Sequence, residues 1–320
     1  MIDSRSVDDL VSVVIPMYNA APWIGEALAS VAAQSRPVYE CLVVDDGSTD
    51  HGPSIVSAFT MSSPCPVRLI SAEHGGVSAA RNVGIEASTG HFIAFLDADD
   101  VWAPDKIERQ LTVMRQSDVV MCTTGYAMFD THSRRVSGVV AARNPDRVIR
   151  RWLAMEGNGL LISSTAVVRR SSLQQAREFD TRVSICADLE FTLRMHSVGT
   201  VLVERRVLVG YRIHEAQAHR RLESLAVEMA RMYDIISFDE FSGSFEKRCR
   251  ANLDTHVGYS LLAHGEGGRG ALRLLKALRS SPQRLLSLPA HALARRVSRR
   301  WRALTRPATW PVAVGSPRCG

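Results

Sequence analysis

The stretch Phe92-Ile93-Ala94-Phe95-Leu96-Asp97-Ala98-Asp99-Asp100 decides the fold. Its first five residues are apolar, with one β-branched and two aromatic side chains, and predict a buried strand. The run ends in three acids within four positions. Carboxylates crowded at one strand end repel one another, and a cation relieves that repulsion. Mg²⁺ and Mn²⁺ take one or two carboxylates together with phosphates and water. In an open α/β sheet the ligand crevice lies outside the carboxyl ends of the strands, where these acids fall. A solvated acidic turn is the plain alternative.

Two segments repeat the pattern. Val11-Ser12-Val13-Val14-Ile15-Pro16 is an apolar run followed by Met17-Tyr18-Asn19, and Cys41-Leu42-Val43-Val44 runs into Asp45-Asp46-Gly47-Ser48-Thr49-Asp50. Between them Ile24, Leu28 and Val31 recur at helical spacing over 23–33. Strand, helix, strand predicts a βαβ unit and a parallel sheet. Val67-Arg68-Leu69-Ile70 predicts a further strand, and after Gly75-Gly76 a helix is expected over about 77–87. The fold class is therefore α/β: a doubly wound, nucleotide-binding sheet with acids at the carboxyl ends of two strands.

The chain of 320 residues, 46% hydrophobic and 22% charged, belongs with globular rather than disordered proteins. It holds no apolar run of the ~18 residues that span a membrane. Asp3, Arg5, Asp8 and Asp9 precede a short first apolar run, so no signal peptide is expected and the location is read as cytoplasmic. Six cysteines without CxxC pairing read as free thiols rather than a disulfide framework or a zinc site. Thirty-six of the 39 basic residues are arginine, a skew that GC-rich codons explain. Their placement says more: from Gly267 onward there are 12 basic residues and no acid, leaving 27 basic and 33 acidic residues before that point.

These motifs, in their order and spacing over about residues 10 to 215, resemble the family 2 glycosyltransferases of the GT-A fold. The matching residues are Val13 to Asn19, Val43 to Asp50, Gly75-Gly76-Val77-Ser78-Ala79-Ala80-Arg81-Asn82-Val83-Gly84, and Gly90 to Asp100. The family's members are inverting enzymes that use nucleotide-sugar donors. The resemblance implies that Asp46, with Asp45 beside it, holds the nucleotide base. A carboxylate can accept the imide hydrogen of uracil or thymine, which favours a UDP- or dTDP-type donor. It also implies that Pro16 and Tyr18 line the base and ribose pocket, and that Arg81 reaches the nucleotide or its diphosphate as a charge-assisted donor. The alternative for Asp45 is a turn residue or helix cap, and for Arg81 a helix-surface arginine.

Asp97-Ala98-Asp99 resembles the family's DxD motif, so Asp99 is expected to ligate a Mg or Mn ion and Asp97 to reach the ribose or a water on the ion. Asp100 is expected to cap the segment after it, and Trp102 to pack beside the sugar site or in the core. The family's catalytic base comes from a helix opening Glu-Asp-x-x-Leu-x-x-Arg. Ala187-Asp188-Leu189-Glu190-Phe191-Thr192-Leu193-Arg194 matches it, with Asp188 as the base and Ala187 in place of the first acid. An N-cap is the alternative for Asp188, and Glu190 is the fallback base. Tyr211-Arg212-Ile213-His214 matches the family's Tyr-Arg-x-His element, which makes His214 a second ligand of the metal or diphosphate. The serine usual a few residues later is absent, with Gln217, Ala218 and His219 in that stretch. Asn158 falls where the family often faces the acceptor, or in an ordinary turn.

Past residue 220 the resemblance fades and the pattern turns helical. Leu222, Leu225, Met229, Met232 and Ile236 form one stripe, Cys249, Leu253, Val257 and Leu261 another, and a third helix is expected over about 270–279. Leu293, Val297, Trp301 and Leu304 then share a face opposite Arg295, Arg296, Arg299 and Arg302. Such a basic amphipathic segment suits an anionic membrane surface, or docks on the body with a solvated arginine face. The expected organisation is a GT-A catalytic domain over 1–219 and a helical, basic extension over 220–320. The acceptor is expected to be a glycan or lipid-linked intermediate of surface polysaccharide synthesis. Two rivals are a sugar-phosphate nucleotidyltransferase and a nucleic-acid binder acting through the arginine-rich tail. The first favours a glycine-rich basic loop where Pro16-Met17-Tyr18-Asn19 stands; neither explains the ordered acids, and no nucleic acid is expected.

Overall fold

The structure is a computed structural model that describes residues 9–61, 63, 65–141, 145–156, 162–214, 222–238, 241–263 and 265–281. The described residues divide into two compact units, one within 1–145 and 161–214 and one within 146–160 and 215–308.

The first unit is built on a nine-stranded sheet. Elements are numbered in chain order. Its parallel half comprises β1 (Val11–Met17), β2 (Glu40–Asp45), β3 (Val67–Ser71) and β4 (Phe92–Phe95), in the order β3-β2-β1-β4. Every residue of β1 and β4 is buried. Valine- and isoleucine-rich runs without alternation are what a parallel sheet covered on both faces requires. Helices α1 (Ile24–Ala32), α2 (Gly52–Thr60) and α3 (Val77–Ala87) make the crossovers. Gly84 lets α3 lie close on β1: a Cβ there would stand 2.3 Å from Val14 Cγ1. β1 pairs with β2 on one side and with β4 on the other. The strand order reverses between β1 and β4, so their carboxyl ends flank the crevice of a topological switch point.

Beyond β4 the sheet is mixed, continuing through β8 (Val167–Arg169), β6 (Val119–Asp130), β9 (Thr200–Ile213) and β5 (Val101–Trp102), with β7 (Val136–Val140) paired to β6. β8 runs antiparallel to both β4 and β6. β9 runs parallel to β6 with register shifts near Thr124 and Gly125. Antiparallel pairing of Val101 with Gly210 and Trp102 with Val209 folds the end of β9 back beside the acids after β4. Helices α4 (Lys106–Met114), α6 (Leu173–Ala176) and α7 (Ala187–Val198) complete this unit.

The second unit is helical: α5 (Pro145–Leu153), α8 (Leu222–Ile235), α9 (Gly243–Ala263) and α10 (Gly267–Ser280). Met229, Met232, Tyr233, Cys249 and Leu253 are buried in it. Residues 146–160, placed by sequence pattern with the catalytic part, group here with the helices. Tyr233 Oη donates to Leu153 O, and Arg248 Nε to Glu156 Oε1 at 3.0 Å. On α10, Arg273 and Lys276 both pair with Asp254, at 2.6 and 3.2 Å. Leu272 and Leu275 are exposed. The amphipathic stripe from Leu293 to Leu304, and Asn158, Gln217, Ala218 and His219, lie outside the described residues. Cys41, Cys65, Cys122, Cys186 and Cys249 are free and buried. Among the described residues no helix is long and apolar enough to cross a membrane.

Candidate active site

The acids after β2 are largely occupied by backbone. Asp46 is buried, its Oδ1 accepting the Gly75 amide at 2.7 Å and its Oδ2 the Gly76 amide at 3.0 Å. Gly76, at φ 85°, holds the left-handed conformation that aims both amides at one carboxylate. His74 Nδ1 closes the loop at 3.0 Å from Asp46 Oδ2. Asp45 accepts the Ser48 amide on Oδ1 at 3.0 Å, the turn role its sequence context allowed. Asn19, also left-handed at φ 49°, accepts the Thr49 amide at 2.8 Å and ties the loop after β1 to the loop after β2. Pro16 is buried beside Val44, whereas Tyr18 is half exposed with its ring 4.5 Å from that of His74. Together Tyr18 and His74 form an aromatic rim above Asp46; the sequence reading did not single out His74.

Arg81 is not a surface residue of α3: it is 3% exposed. Its Nη2 donates to Asp97 Oδ1 at 2.7 Å and its Nη1 to Asp188 Oδ1 at 2.9 Å. One guanidinium thus joins the acid after β4 to the acid opening α7. Burial alone would lower the arginine's pKa, but the two carboxylates raise it. Burial pushes Asp97 up to about 6, helped by Asp188 and Asp99 and opposed by Arg81. Asp188 makes no side-chain cap; the residue before α7 is Cys186. Ala187 is fully buried, so the charge of Arg81 is met by Asp97 and Asp188 without a first acid. Glu190, the fallback base, is also buried, with Oε1 and Oε2 held in a fork by Arg194 at 2.5 and 2.7 Å. Both its oxygens are spent on a structural ion pair.

A short turn over Ser163–Thr165 fixes this arrangement from below. Ser164 Oγ accepts the Asp97 amide at 3.0 Å and donates to Asp100 Oδ2 at 2.6 Å, while its carbonyl accepts Trp102 Nε1 at 2.9 Å. Asp100 is therefore not a cap for the segment after it. It is fully buried, and its Oδ1 also accepts the Arg212 amide at 3.1 Å. Burial, then Asp99 and Asp97, raise its pKa well above the ordinary carboxylate value. Trp102, 2% exposed, belongs to the core. Neither serine carried a signal in the sequence, since the turn matches no quoted motif.

The fourth component is the pair Asp99 and His214, with Asp99 Oδ2 2.8 Å from His214 Nε2. Trp23 stacks on the imidazole at 4.0 Å. Arg212 locks the pair in place, its Nε donating to Asp99 O at 2.7 Å and its Nη2 to Glu26 Oε2 at 2.9 Å. One carboxylate oxygen and one imidazole nitrogen suit Mg²⁺ or Mn²⁺, and their spacing fits the ~3 Å between neighbouring ligands of an octahedral ion bound at ~2.0–2.1 Å. Among the described residues no cluster of three or more His, Cys, Asp or Glu could hold an ion alone. The residues thus fit an ion shared with a ligand's phosphates.

The sheet and its crevice place the chain among the GT-A glycosyltransferases. A family model, glycosyl transferase family 2, matches residues 12–177. An uncharacterised glycosyltransferase of Nostoc is 30% identical over 223 residues, which cover 68% of this chain and 69% of that protein. The chain belongs to glycosyltransferase family 2 and is a transferase. Mannosyltransferase PcManGT of Pyrobaculum calidifontis, solved with GDP-Man and Mn²⁺, matches with a TM-score of 0.61 at 21% identity, covering 92% of this chain and 83% of that one. S. aureus TarS 1–349, solved with UDP-GlcNAc, matches with a TM-score of 0.56 at 19% identity, covering 86% of this chain and 92% of that one. At such identities these two establish the fold.

Proposed function

We propose that the chain transfers a sugar, with inversion, from a UDP- or dTDP-type donor to a hydroxyl of a glycan or lipid-linked acceptor in surface polysaccharide or glycolipid synthesis. The observation that carries this reading is the Arg81 bridge, which holds a donor-side acid and a candidate base at fixed separation. Asp45 and Asp46 bind the base, Pro16 and Tyr18 line its pocket, and Asp97 faces the ribose. Arg81 acts through Asp97 and Asp188, holding both carboxylates in place with charge-assisted hydrogen bonds. Asp188 takes the proton of the acceptor hydroxyl as that oxygen bonds to the anomeric carbon. The bond from that carbon to the diphosphate breaks, and the nucleoside diphosphate leaves on the opposite face. A divalent ion held by Asp99 and His214 would offset the charge of the leaving diphosphate.

The test is nucleoside diphosphate release from UDP-N-acetylglucosamine, UDP-glucose and dTDP-glucose, with Mn²⁺ or with chelator. Metal-dependent release from at least one is expected, and Asp188→Asn should lower turnover ~10²–10⁴-fold with donor affinity near wild type. Full turnover in the Asn variant would move the base elsewhere.

The same reading assigns catalysis to residues 1–219 and places the enzyme at the cytoplasmic face of a membrane through the basic extension of 220–320. Support comes from α10, where Leu272 and Leu275 are exposed beside Arg269 and Arg279, and from the eight further basic residues that follow Ser281. Basic side chains contribute roughly 1 kcal/mol each at an anionic leaflet, an attraction that salt screens. Truncation after Ser281 should release the protein from phosphatidylserine vesicles and leave donor hydrolysis unchanged. A full chain that ignores such vesicles at low salt sinks this location.

A further inference from the structure

Ser163 stands in the turn that leads into β8, outside every motif that marks the site, and is 5% exposed. Its backbone amide donates to Asp188 Oδ2 at 3.1 Å, and its hydroxyl donates to Asp188 Oδ1. One residue thus holds both oxygens of the carboxylate and sets its plane. Arg81 Nη1 takes the remaining position on Oδ1 at 2.9 Å. From the other end, Thr192 Oγ1 donates to the Asp188 carbonyl at 2.6 Å and fixes the first turn of α7. A small cavity lined by Phe95, Ser163, Phe191 and Thr192 adjoins the carboxylate.

The two oxygens are not equivalent. Each carboxylate oxygen offers two lone-pair sites. Both sites of Oδ1 are filled, by Arg81 and by the Ser163 hydroxyl, whereas among the described residues Oδ2 carries only the Ser163 amide. We propose that Ser163 is a positioning residue for the base and that Asp188 Oδ2 is the oxygen that receives the acceptor's proton. This inference rests on Asp188 being the base. Removing the hydroxyl frees a lone pair on Oδ1 and lets the carboxylate turn, so that Oδ2 no longer meets the incoming proton. A misplacement of about 1 Å can cost on the order of 10²-fold in rate.

The experiment compares Ser163→Ala, Asp188→Asn and the double variant in the full chain. The probes are hydrolysis of whichever panel donor (UDP-N-acetylglucosamine, UDP-glucose or dTDP-glucose) the wild type cleaves, and calorimetric binding of UDP in Mn²⁺. Ser163→Ala should lower kcat roughly 10- to 100-fold with UDP affinity within about twofold of wild type. Added to Asp188→Asn, it should cost nothing further, because the serine acts only through that carboxylate. The inference is overturned if Ser163→Ala keeps kcat within about twofold, if its loss multiplies fully with that of Asp188→Asn, or if UDP affinity falls in step with kcat. Should Asp188→Asn itself turn over normally, the assignment of the base fails first. If Asp188→Asn collapses and Ser163→Ala does not, only the role of Ser163 fails.

Discussion

The acids after β2 and the acids after β4 occupy equivalent places at the mouth of one crevice, yet they are held in opposite ways. Asp46 spends its oxygens on the amides of Gly75 and Gly76, and Asp45 accepts the Ser48 amide. That first cluster is a frame: backbone amides take both oxygens of Asp46, with the half-exposed His74 imidazole at its rim, and it shapes the wall of a pocket. In the second cluster Asp97 faces Arg81 and Asp99 faces His214, so charged or chargeable side chains meet the carboxylates. Only Asp100 there is sunk into the structure, taken by Ser164 and the Arg212 amide. Acids satisfied by backbone stay put when a ligand arrives, whereas acids satisfied by side chains can exchange partners for a cation or a sugar hydroxyl. Function therefore follows the kind of partner rather than the density of charge.

The sharpest way to break this comparison is to remove one acid from each cluster. Asp99→Ala should abolish the Mn²⁺ dependence of UDP binding, a loss expected to exceed 100-fold at a saturating ion concentration, with Tm close to wild type. Asp46→Ala should do the reverse in kind. It strands two amides, each costing about 1–3 kcal/mol when buried without a partner, so Tm falls while the residual UDP binding keeps its Mn²⁺ dependence. Thermal unfolding and calorimetry with and without Mn²⁺ read both. Equal effects on Tm, or an Asp99 variant with unchanged Mn²⁺ dependence, would erase the distinction.

How much of this could be read in advance differs between the same two regions. The parallel half was legible because its strands are apolar runs broken by turn residues, and because α1 and α3 carry helical periodicity. The mixed half was not. Val-Val-Met-Cys-Thr-Thr-Gly-Tyr-Ala-Met-Phe-Asp in β6 is buried along nearly its whole length and shows no alternation. β9 carries Glu204, Arg205 and Arg206 in its middle, which imitates a surface loop. In the site, spacing pointed to Asp97, Asp99, Asp188 and His214, and the fold gathers them. It did not point to Ser163 and Ser164, because their bonds to Asp188 and Asp97 span 25 and 67 residues. Such contacts exist only once the sheet has formed. Asp100 was misread for the same reason: its partners lie far off in sequence, Ser164 in a turn and Arg212 on β9, while its neighbours in sequence suggested a cap.

The second cluster also rests on an unusual support, and this yields the most specific test. Lys106, at the start of α4, is fully buried, with Nζ 4.1 Å from the centre of the Trp102 ring. Among the described residues that nitrogen has no hydrogen-bond partner. Trp102 in turn holds the Ser164 carbonyl, so the lysine props the turn that orients Asp97 and Asp100. Burial lowers its pKa from 10.5 to about 7. Below pH 7 the folded protein must carry this cation in an apolar site, a cost that the ring's attraction, about 2 kcal/mol or more when desolvated, offsets in part. Between about pH 7 and 10.5 the unfolded chain holds the proton and the folded chain does not, so stability rises with pH across that window. The span corresponds to on the order of 5 kcal/mol. Lys106→Met keeps the length and removes the charge. It should be more stable than wild type at pH 6, with the gap closing as the pH approaches 10. Urea midpoints at pH 6, 8 and 10 measure it; an offset that stays constant across the three would mean that packing, and not the buried charge, sets the difference.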